Sequence, residues 1–363
     1  MPTIPRKPTM QDVARLAGVS KMTVSRVLAD PGLVAEETRE RVQRAVEQLG
    51  YVPDRVAGSL SSRRTGFIAA ILPTLTNANF ADTAHGLTEV LRRAGYQLLI
   101  GYTMYGLAEE ERLIRAMLAR RPEALVLTGA THTRVATQFL HAAGIPVVEI
   151  WDLPTAPVDH AVGFSNREVG RMAARHLLAL GHRRLGAIGP RAEGEGRDFR
   201  GEERLAGFAA ALQEQGAEPA VVIDREPVPL SFEQGARSLA ALLEAAPDLE
   251  AVFAVSDLIA VGALMECHRR GIRVPKDLSL LGFGDFEIGR QCVPALTTIR
   301  IDARGIGSRT GELLLRLLDG QAHPSVQPSP GPIDVGFDLV QRQTTAPSAR
   351  VRRTGTSRKV TAS

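Results

Sequence analysis

Thr9-Met10-Gln11-Asp12-Val13-Ala14-Arg15-Leu16-Ala17-Gly18-Val19-Ser20-Lys21-Met22-Thr23-Val24-Ser25-Arg26-Val27-Leu28 is the stretch from which the architecture is read. Thr9 followed by Asp12 has the form of a capping box: a hydroxyl accepts from the first turn, and an acid sits near the positive helix end. Val13, Ala14, Leu16 and Ala17 follow at helical spacing, and Gly18 stops the helix because it tolerates a left-handed backbone. Ser20 caps a second helix that runs through Leu28. Two short helices joined by a glycine-containing turn predict a helix-turn-helix. Val24, Val27 and Leu28 cluster on one side of the second helix. Lys21, Met22, Ser25 and Arg26 fall within about 140° on the other. Polar and basic side chains in the first turns are what a helix needs to read base edges in a major groove, so Lys21, Met22, Thr23, Ser25 and Arg26 are the candidate DNA contacts. A third helix is expected from Glu36 to Leu49, packing Val42, Ala45, Val46 and Leu49 and ending at Gly50.

Charge placement agrees with an anionic partner. The chain has 363 residues and a formal net charge of +4. Residues 1–64 carry 11 Lys+Arg against 7 Asp+Glu, and residues 342–363 carry 6 basic and no acidic residues, so the middle of the chain is acidic. Basic ends on an acidic body suit a polyanion gripped by the terminal segments. The hydrophobic fraction of 44% excludes a mainly disordered chain. No apolar run approaches the roughly 18 residues of a membrane span, and no apolar segment follows the basic N-terminus, so neither membrane insertion nor a signal peptide is expected and the protein reads as cytoplasmic. Cys267 and Cys292 are too few for a disulfide framework and lack zinc-site spacing. No metal and no cofactor is expected.

From Gly66 onward, short apolar runs alternate with amphipathic helices. Candidate strands start at Phe67–Leu72 and recur to Leu296–Ile301, about ten in all, which is too many for one compact unit. Strand–helix alternation with buried strands predicts parallel sheets covered on both faces, here in two similar subdomains. Ligands of such sheets bind beyond the carboxyl ends of the strands, which places a pocket in the cleft between the subdomains.

The N-terminal motifs Asp12-Val13-Ala14, Ala17-Gly18-Val19-Ser20, Thr23-Val24-Ser25-Arg26-Val27-Leu28 and Leu49-Gly50-Tyr51-Val52-Pro53 resemble the lactose-repressor family of bacterial transcription regulators. One departure is Ala35, where the family usually caps the third helix with Ser or Thr. Pro53-Asp54-Arg55-Val56-Ala57-Gly58-Ser59-Leu60 resembles the family's hinge, with Arg55, Ala57 and Leu60 as candidate DNA contacts. The resemblance implies that this hinge becomes helical only on operator DNA. Two hinges paired across a dimer would then insert their leucines as wedges into the minor groove. Asp54 in place of the usual Asn, and Gly58, which costs about 1 kcal/mol of helix propensity relative to Ala, make that folding more dependent on DNA.

The likeness continues to about Thr344 through Leu180-Gly181-His182-Arg183, Arg204-Leu205-Ala206-Gly207-Phe208, Asp257-Leu258-Ile259-Ala260-Val261-Gly262-Ala263, Val274-Pro275-Lys276-Asp277-Leu278 and Pro294-Ala295-Leu296-Thr297-Thr298-Ile299. It is strongest to the family's gluconate-operon branch, through Lys21 to Arg26, Leu75-Thr76-Asn77, Thr131-His132-Thr133, Ile145 to Glu149 and Ala161 to Phe164. The implied fold is an all-α helix-turn-helix headpiece with a hinge helix, then an α/β periplasmic-binding-protein-like core of two doubly wound parallel-sheet subdomains. The chain would divide into a DNA-binding domain (1–52), a hinge (53–64), an effector-binding and dimerisation core (65–344) and a basic, disordered tail (345–363).

Candidate effector residues are Asn79 and Phe80 after the first strand, His132 and Glu149, Asp152, Arg204, Asp257 and Asp285. Arg204 aligns with an arginine the family commonly aims into its pocket. Trp151 and Gly284 stand where many sugar-binding members have an acid, with Asp152 and Asp285 one place later, so the carbohydrate grip differs. Plainer roles compete: Asp257 as an N-cap, Arg204 paired with Glu202 or Glu203, His132 as a loop histidine, and His182 as a structural turn residue.

The expected protein is a ligand-responsive homodimeric repressor on a pseudo-palindromic operator, with a sugar acid ahead of a neutral sugar or sugar phosphate as effector. An enzyme is disfavoured, since there is no P-loop, nucleophile elbow or His-Glu-x-x-His motif and no catalytic residue is nominated. Gly305-Ile306-Gly307 with Gly311 has the wrong spacing for a dinucleotide fingerprint. A solute-binding protein without a regulatory role is the alternative, opposed by the DNA-binding segment.

Overall fold

The structure, a computed structural model, describes residues 6–29, 31–52, 65–191, 194, 196–217, 220–322 and 331–348. Two compact units divide between Thr65 and Gly66. The expected hinge contacts Arg55, Ala57 and Leu60, and the tail from 349, lie outside the described residues.

The first unit contains α1 (Met10–Ala17), α2 (Lys21–Ala29) and α3 (Glu36–Leu49). Thr9 Oγ1 accepts from Asp12 N at 3.3 Å while the Asp12 carboxylate accepts from Thr9 N at 3.0 Å, which is the expected capping box. Ser20 Oγ accepts from Thr23 N at 3.0 Å and starts α2 as the sequence predicts. Ala35 makes no side-chain cap to α3. Gly18 has φ 65°, and a Cβ there would lie 2.8 Å from Arg41 Nη2. That guanidinium donates to the Ala17 and Gly18 carbonyls, so α3 supplies partners for the orphan end of α1. Val13, Ala14, Ala17, Val24, Val27, Val42 and Ala45 form one small core.

The second unit runs β1 (Phe67–Leu72), α4 (Ala78–Arg93), β2 (Gln97–Tyr102), α5 (Leu107–Leu118), β3 (Leu125–Thr128), α6 (Arg134–Ala142), β4 (Val147–Ile150) and β5 (His160–Gly163). It continues with α7 (Asn166–Ala179), β6 (Leu185–Pro190), α8 (Phe199–Glu214), β7 (Val221–Glu226), α9 (Phe232–Ala245), β8 (Ala251–Ala254), α10 (Asp257–Arg269) and β9 (Ser279–Phe283). Then come α11 (Glu287–Gln291), β10 (Thr297–Arg300), α12 (Ala303–Ala322), β11 (Ile333–Asp334) and β12 (Asp338–Val340). Two six-stranded sheets result, ordered β11-β5-β4-β3-β1-β2 and β12-β10-β9-β8-β6-β7. The first sheet is wholly parallel; in the second, β12 runs antiparallel to β10. The chain crosses between subdomains after β5, after β10 and between β11 and β12, and both sheets end in strands contributed late.

The sequence pattern placed the first ten strands and missed β11 and β12, which are too short to show a period. Helix α6 was also not anticipated. Three helix pairs approach through reciprocal glycines: Gly86 with Gly307, Gly170 with Gly207, and Gly235 with Gly262, each facing a backbone carbonyl of the partner helix. The body does not end at Thr344. Thr345 and Ser348 are buried, Ser348 N donates to Leu180 O at 2.8 Å, and His182 Nε2 donates to Ala346 O at 2.9 Å. The plain structural role for His182 therefore holds.

Candidate functional site

The carboxyl ends of the strands meet at a cleft with two adjoining lobes, and Tyr105 and Arg200 line both. The first lobe is walled by Asn79, Phe80 and Trp151 from one subdomain and by Asp198, Arg204 and Phe283 from the other. Its aromatic floor is continuous: Phe80 packs edge-on to Trp151 at 5.2 Å, and Trp151 to Phe164 at 5.8 Å. Trp151 Nε1 donates to Thr83 Oγ1 at 3.0 Å, which satisfies its buried polar handle.

Arg204 is buried in this wall with its guanidinium 4.3 Å from the Phe283 ring centroid. Nη1 donates to Asn166 Oδ1 at 2.5 Å and Nη2 lies 3.5 Å from Asp198, but Nε has no hydrogen-bond partner. The surface pairing with Glu202 or Glu203 is not what forms. Glu202 pairs with Arg197 and Glu203 with Arg167. Burial pushes Arg204 down to about 10, with Asp198 opposing, so it stays protonated at neutral pH. One turn earlier on α8, Arg200 is also buried, 3.4 Å from Asp198, and donates to Thr128 O at 3.3 Å across the cleft. Among the described residues, the first lobe thus has two guanidiniums against one carboxylate. Arg200, Asp198 and Tyr105 were not among the sequence candidates. The spacing of Arg200 and Arg204 on one helix face was the available signal, but an isolated arginine is ordinary on a helix surface.

The other candidates separate. Asn79, Phe80 and Arg204 line the first lobe and Asp152 lines the second. His132, Glu149, Asp257 and Asp285 line neither. Asp257 does not cap α10; Ser256 does. The Asp257 carboxylate is fully buried, accepting from Thr298 Oγ1 at 2.7 Å and from Phe286 N at 2.9 Å, so it holds the wall residue Phe286 from behind. Burial lifts it to about 6 against those hydrogen bonds. Asp285 accepts from Arg342, and Glu149 accepts from Val158 N and pairs with His132.

His132 lies between two buried carboxylates, Nδ1 at 2.7 Å from Glu110 and Nε2 at 3.0 Å from Glu149. Burial alone would lower it, but hydrogen bonds to Glu110 and Glu149 and their charges carry it up to about 9. A raised histidine stabilises fully below its unfolded value near 6.5 and loses that contribution as pH rises through 9. Stability should therefore fall by on the order of 3 kcal/mol across this window through His132 alone. Denaturation midpoints of the His132→Gln variant should be flatter with pH from 6.5 to 9 than those of the parent; parallel curves would remove this role.

On α2 the expected reading face is presented outward. Lys21, Met22, Ser25 and Arg26 are exposed, Met22 at 72%, while Val24 and Val27 are buried. Thr23 is half-buried, its hydroxyl 2.8 Å from Ser20 Oγ.

Comparison with known proteins bears on both units. The model of bacterial regulatory proteins of the lacI family matches residues 9–54, and that of the periplasmic binding protein-like domain matches residues 174–345. The HTH-type transcriptional regulator GntR of Pseudomonas aeruginosa is 40% identical over 341 residues, 93% of this chain and 96% of its own. The chain belongs to the lacI family. Among solved structures, the transcription regulator GntR from Chromobacterium violaceum superposes with a TM-score of 0.71 at 35% identity, covering 77% of this chain and 99% of that one. The lac repressor dimer bound to operator and the anti-inducer ONPF superposes at 0.78 with 26% identity, covering 94% and 100%. As a lacI-family regulator the protein binds operator DNA and a small effector, controls sugar or sugar-acid metabolism, and is not an enzyme. It acts in the cytoplasm, as its family does. Among the described residues no helix is long and apolar enough to cross a membrane.

Proposed function

We propose that this lacI-family regulator is a homodimeric repressor whose effector is gluconate or a related sugar acid. The observation that carries the reading is the excess of buried positive charge in the first lobe. Among the described residues lining that lobe, Arg200 and Arg204 face the single carboxylate of Asp198, and Arg204 Nε makes no hydrogen bond. Two buried cations set against one carboxylate are costly, and a ligand carboxylate offsets that cost through the planar fork of arginine. A neutral sugar would leave the excess in place. The sequence likeness to the gluconate-operon branch points the same way. Calorimetric titration of the protein with gluconate, glucose and a phosphorylated sugar tests this. Binding of gluconate alone, or much tighter than the others, is expected; binding of glucose alone overturns it.

The dimer reading is supported by the sheet edges. Edge strand β2 exposes Leu99, Ile100 and Tyr102, and edge strand β7 exposes Val222. A two-fold dimer with one reading helix per subunit requires a pseudo-palindromic operator. Within it, Lys21 and Met22 read base edges, and Thr23, Ser25 and Arg26 contact bases or phosphates. The hinge segment, with Arg55, Ala57 and the wedge Leu60, enters the minor groove. Lys21→Ala should cost roughly 1–3 kcal/mol at one operator position and leave the preference elsewhere intact. Gel shifts against single-base operator variants measure this, and a uniform loss would make Lys21 a phosphate contact instead.

A further inference from the structure

The second lobe of the cleft differs chemically from the first. Among the described residues its wall offers Glu110, Asp152, Thr103 and Thr131, and apart from Arg200 its one cation is Arg197. Arg197 is engaged by Glu202 through both Nε and Nη2. Among the described residues this lobe therefore presents mainly acceptors, whereas the first holds two guanidiniums, with Arg204 Nε and Asp198 Oδ1 making no hydrogen bond.

Glu110 is buried, and its Oε1 pairs with His132 Nδ1, whose other ring nitrogen is fixed by Glu149. That arrangement holds the carboxylate in one orientation and leaves Oε2 for a further donor. Asp152 accepts from Leu153 N at 3.0 Å, and burial raises it above the usual carboxylate range, a condition that hydrogen bonds from hydroxyls relieve. Arg200 stands where the lobes join. Its bonds there are long, 3.3 Å to Thr128 O and 3.4 Å to Asp198, and Phe80 lies 5.7 Å beneath it.

We infer that the effector is an open-chain polyhydroxy monocarboxylate that spans both lobes, its carboxylate on Arg204 and Arg200 and its distal hydroxyls donating to Glu110. This rests on the sugar-acid reading and adds to it a length, a direction and a charge limit. The cationic lobe takes the acid end. The hydroxyl chain passes Tyr105 and Arg200, and the acceptor lobe selects the far end. A short hydroxy acid fills only the first lobe and loses the second set of hydrogen bonds. A dicarboxylate of the same length sets its second carboxylate against Glu110 and Asp152, where like charge opposes it. His132 is a positioning residue in this scheme, since it touches Glu110 and not the ligand.

The test is calorimetry on the full chain with gluconate, glycerate and glucarate as probes, repeated for Glu110→Gln and for Thr131→Val, which alters an exposed part of the same wall. Gluconate should bind at least roughly tenfold tighter than either glycerate or glucarate, the size expected for losing one hydrogen bond to a charged group. Glu110→Gln should cost gluconate about tenfold, leave glycerate unchanged and narrow the penalty on glucarate. Thr131→Val should weaken gluconate selectively even if Glu110→Gln fails to give a cooperative melting transition. Equal binding of glycerate and gluconate, or of glucarate and gluconate, overturns the two-lobe assignment while leaving the sugar-acid reading intact. So does loss of gluconate and glycerate in parallel on Glu110→Gln. Binding of none of the three acids would instead remove the sugar-acid reading itself.

Discussion

Gly170→Ala should destabilise the body by about 2–4 kcal/mol, although alanine is the better helix former at that position. Helix propensity alone favours the substitution by about 1 kcal/mol. Against it stands the contact of α7 with α8. A Cβ on Gly170 would lie 1.9 Å from Arg204 O and 2.7 Å from Phe208 N, and a Cβ on Gly207 would lie 1.9 Å from Arg167 O. These neighbours are backbone atoms, so no side-chain rotation relieves the clash and the helices must separate. Separation opens contacts in a core that includes Val169, Ala173, Phe208 and Ala211, and overpacking of this kind costs more than the propensity gain. Gly207→Ala should behave alike. The double variant should fall short of the sum of the two singles, because helices already pushed apart by one methyl accommodate the other. Urea denaturation of the four proteins measures this. Single variants as stable as the parent, or strictly additive losses, would show that the pair is not a shared close approach.

Arg204→Lys should weaken acid-effector binding by at least roughly tenfold even though the charge is kept. Arg204 reaches Asn166 Oδ1 with one amino group and approaches Asp198 with the other, while its plane lies over the Phe283 ring. A lysine ammonium is a point charge without that fork: it cannot hold Asn166, face Asp198 and present a further N–H to a carboxylate together. The same change should leave the melting temperature less affected than affinity, because the wall partners Asn166 and Asp198 remain paired with Trp151 O and Arg200 respectively. Calorimetry with gluconate reads the effect. A variant that binds gluconate as tightly as the parent would move the carboxylate away from Arg204, and with it the orientation assigned to the ligand.

The headpiece was legible almost residue by residue. Its signals are local: Thr9 and Asp12 are three residues apart, Gly18 acts on its own backbone, and the two faces of α2 follow from one period. Most of the first ten strands were legible for a similar reason, since buried parallel strands are continuous apolar runs bounded by turns; edge strand β2 is an apolar run too, but with Leu99, Ile100 and Tyr102 exposed. Short β11 and β12 were not, because two or three residues carry no period and exist as strands only by pairing with β5 and β10.

The functional site divides along the same line. Sequence by itself determined the family, the reading helix, the two-subdomain body and a cleft that would carry Asn79, Phe80 and Arg204. Only the tertiary structure decided which acids face that cleft. His132, Glu149, Asp257 and Asp285 all follow strand ends or lie on them, yet their side chains are satisfied by Glu110, Val158, Thr298, Phe286 and Arg342 rather than by the cavity. Position along the chain places a residue near a strand end. Whether a charged group then turns to the ligand or away from it depends on which partners, often far away in sequence, offset its burial. Arg204 is the converse case: Asn166 and Asp198 meet part of its need, and the side chain still lines the lobe.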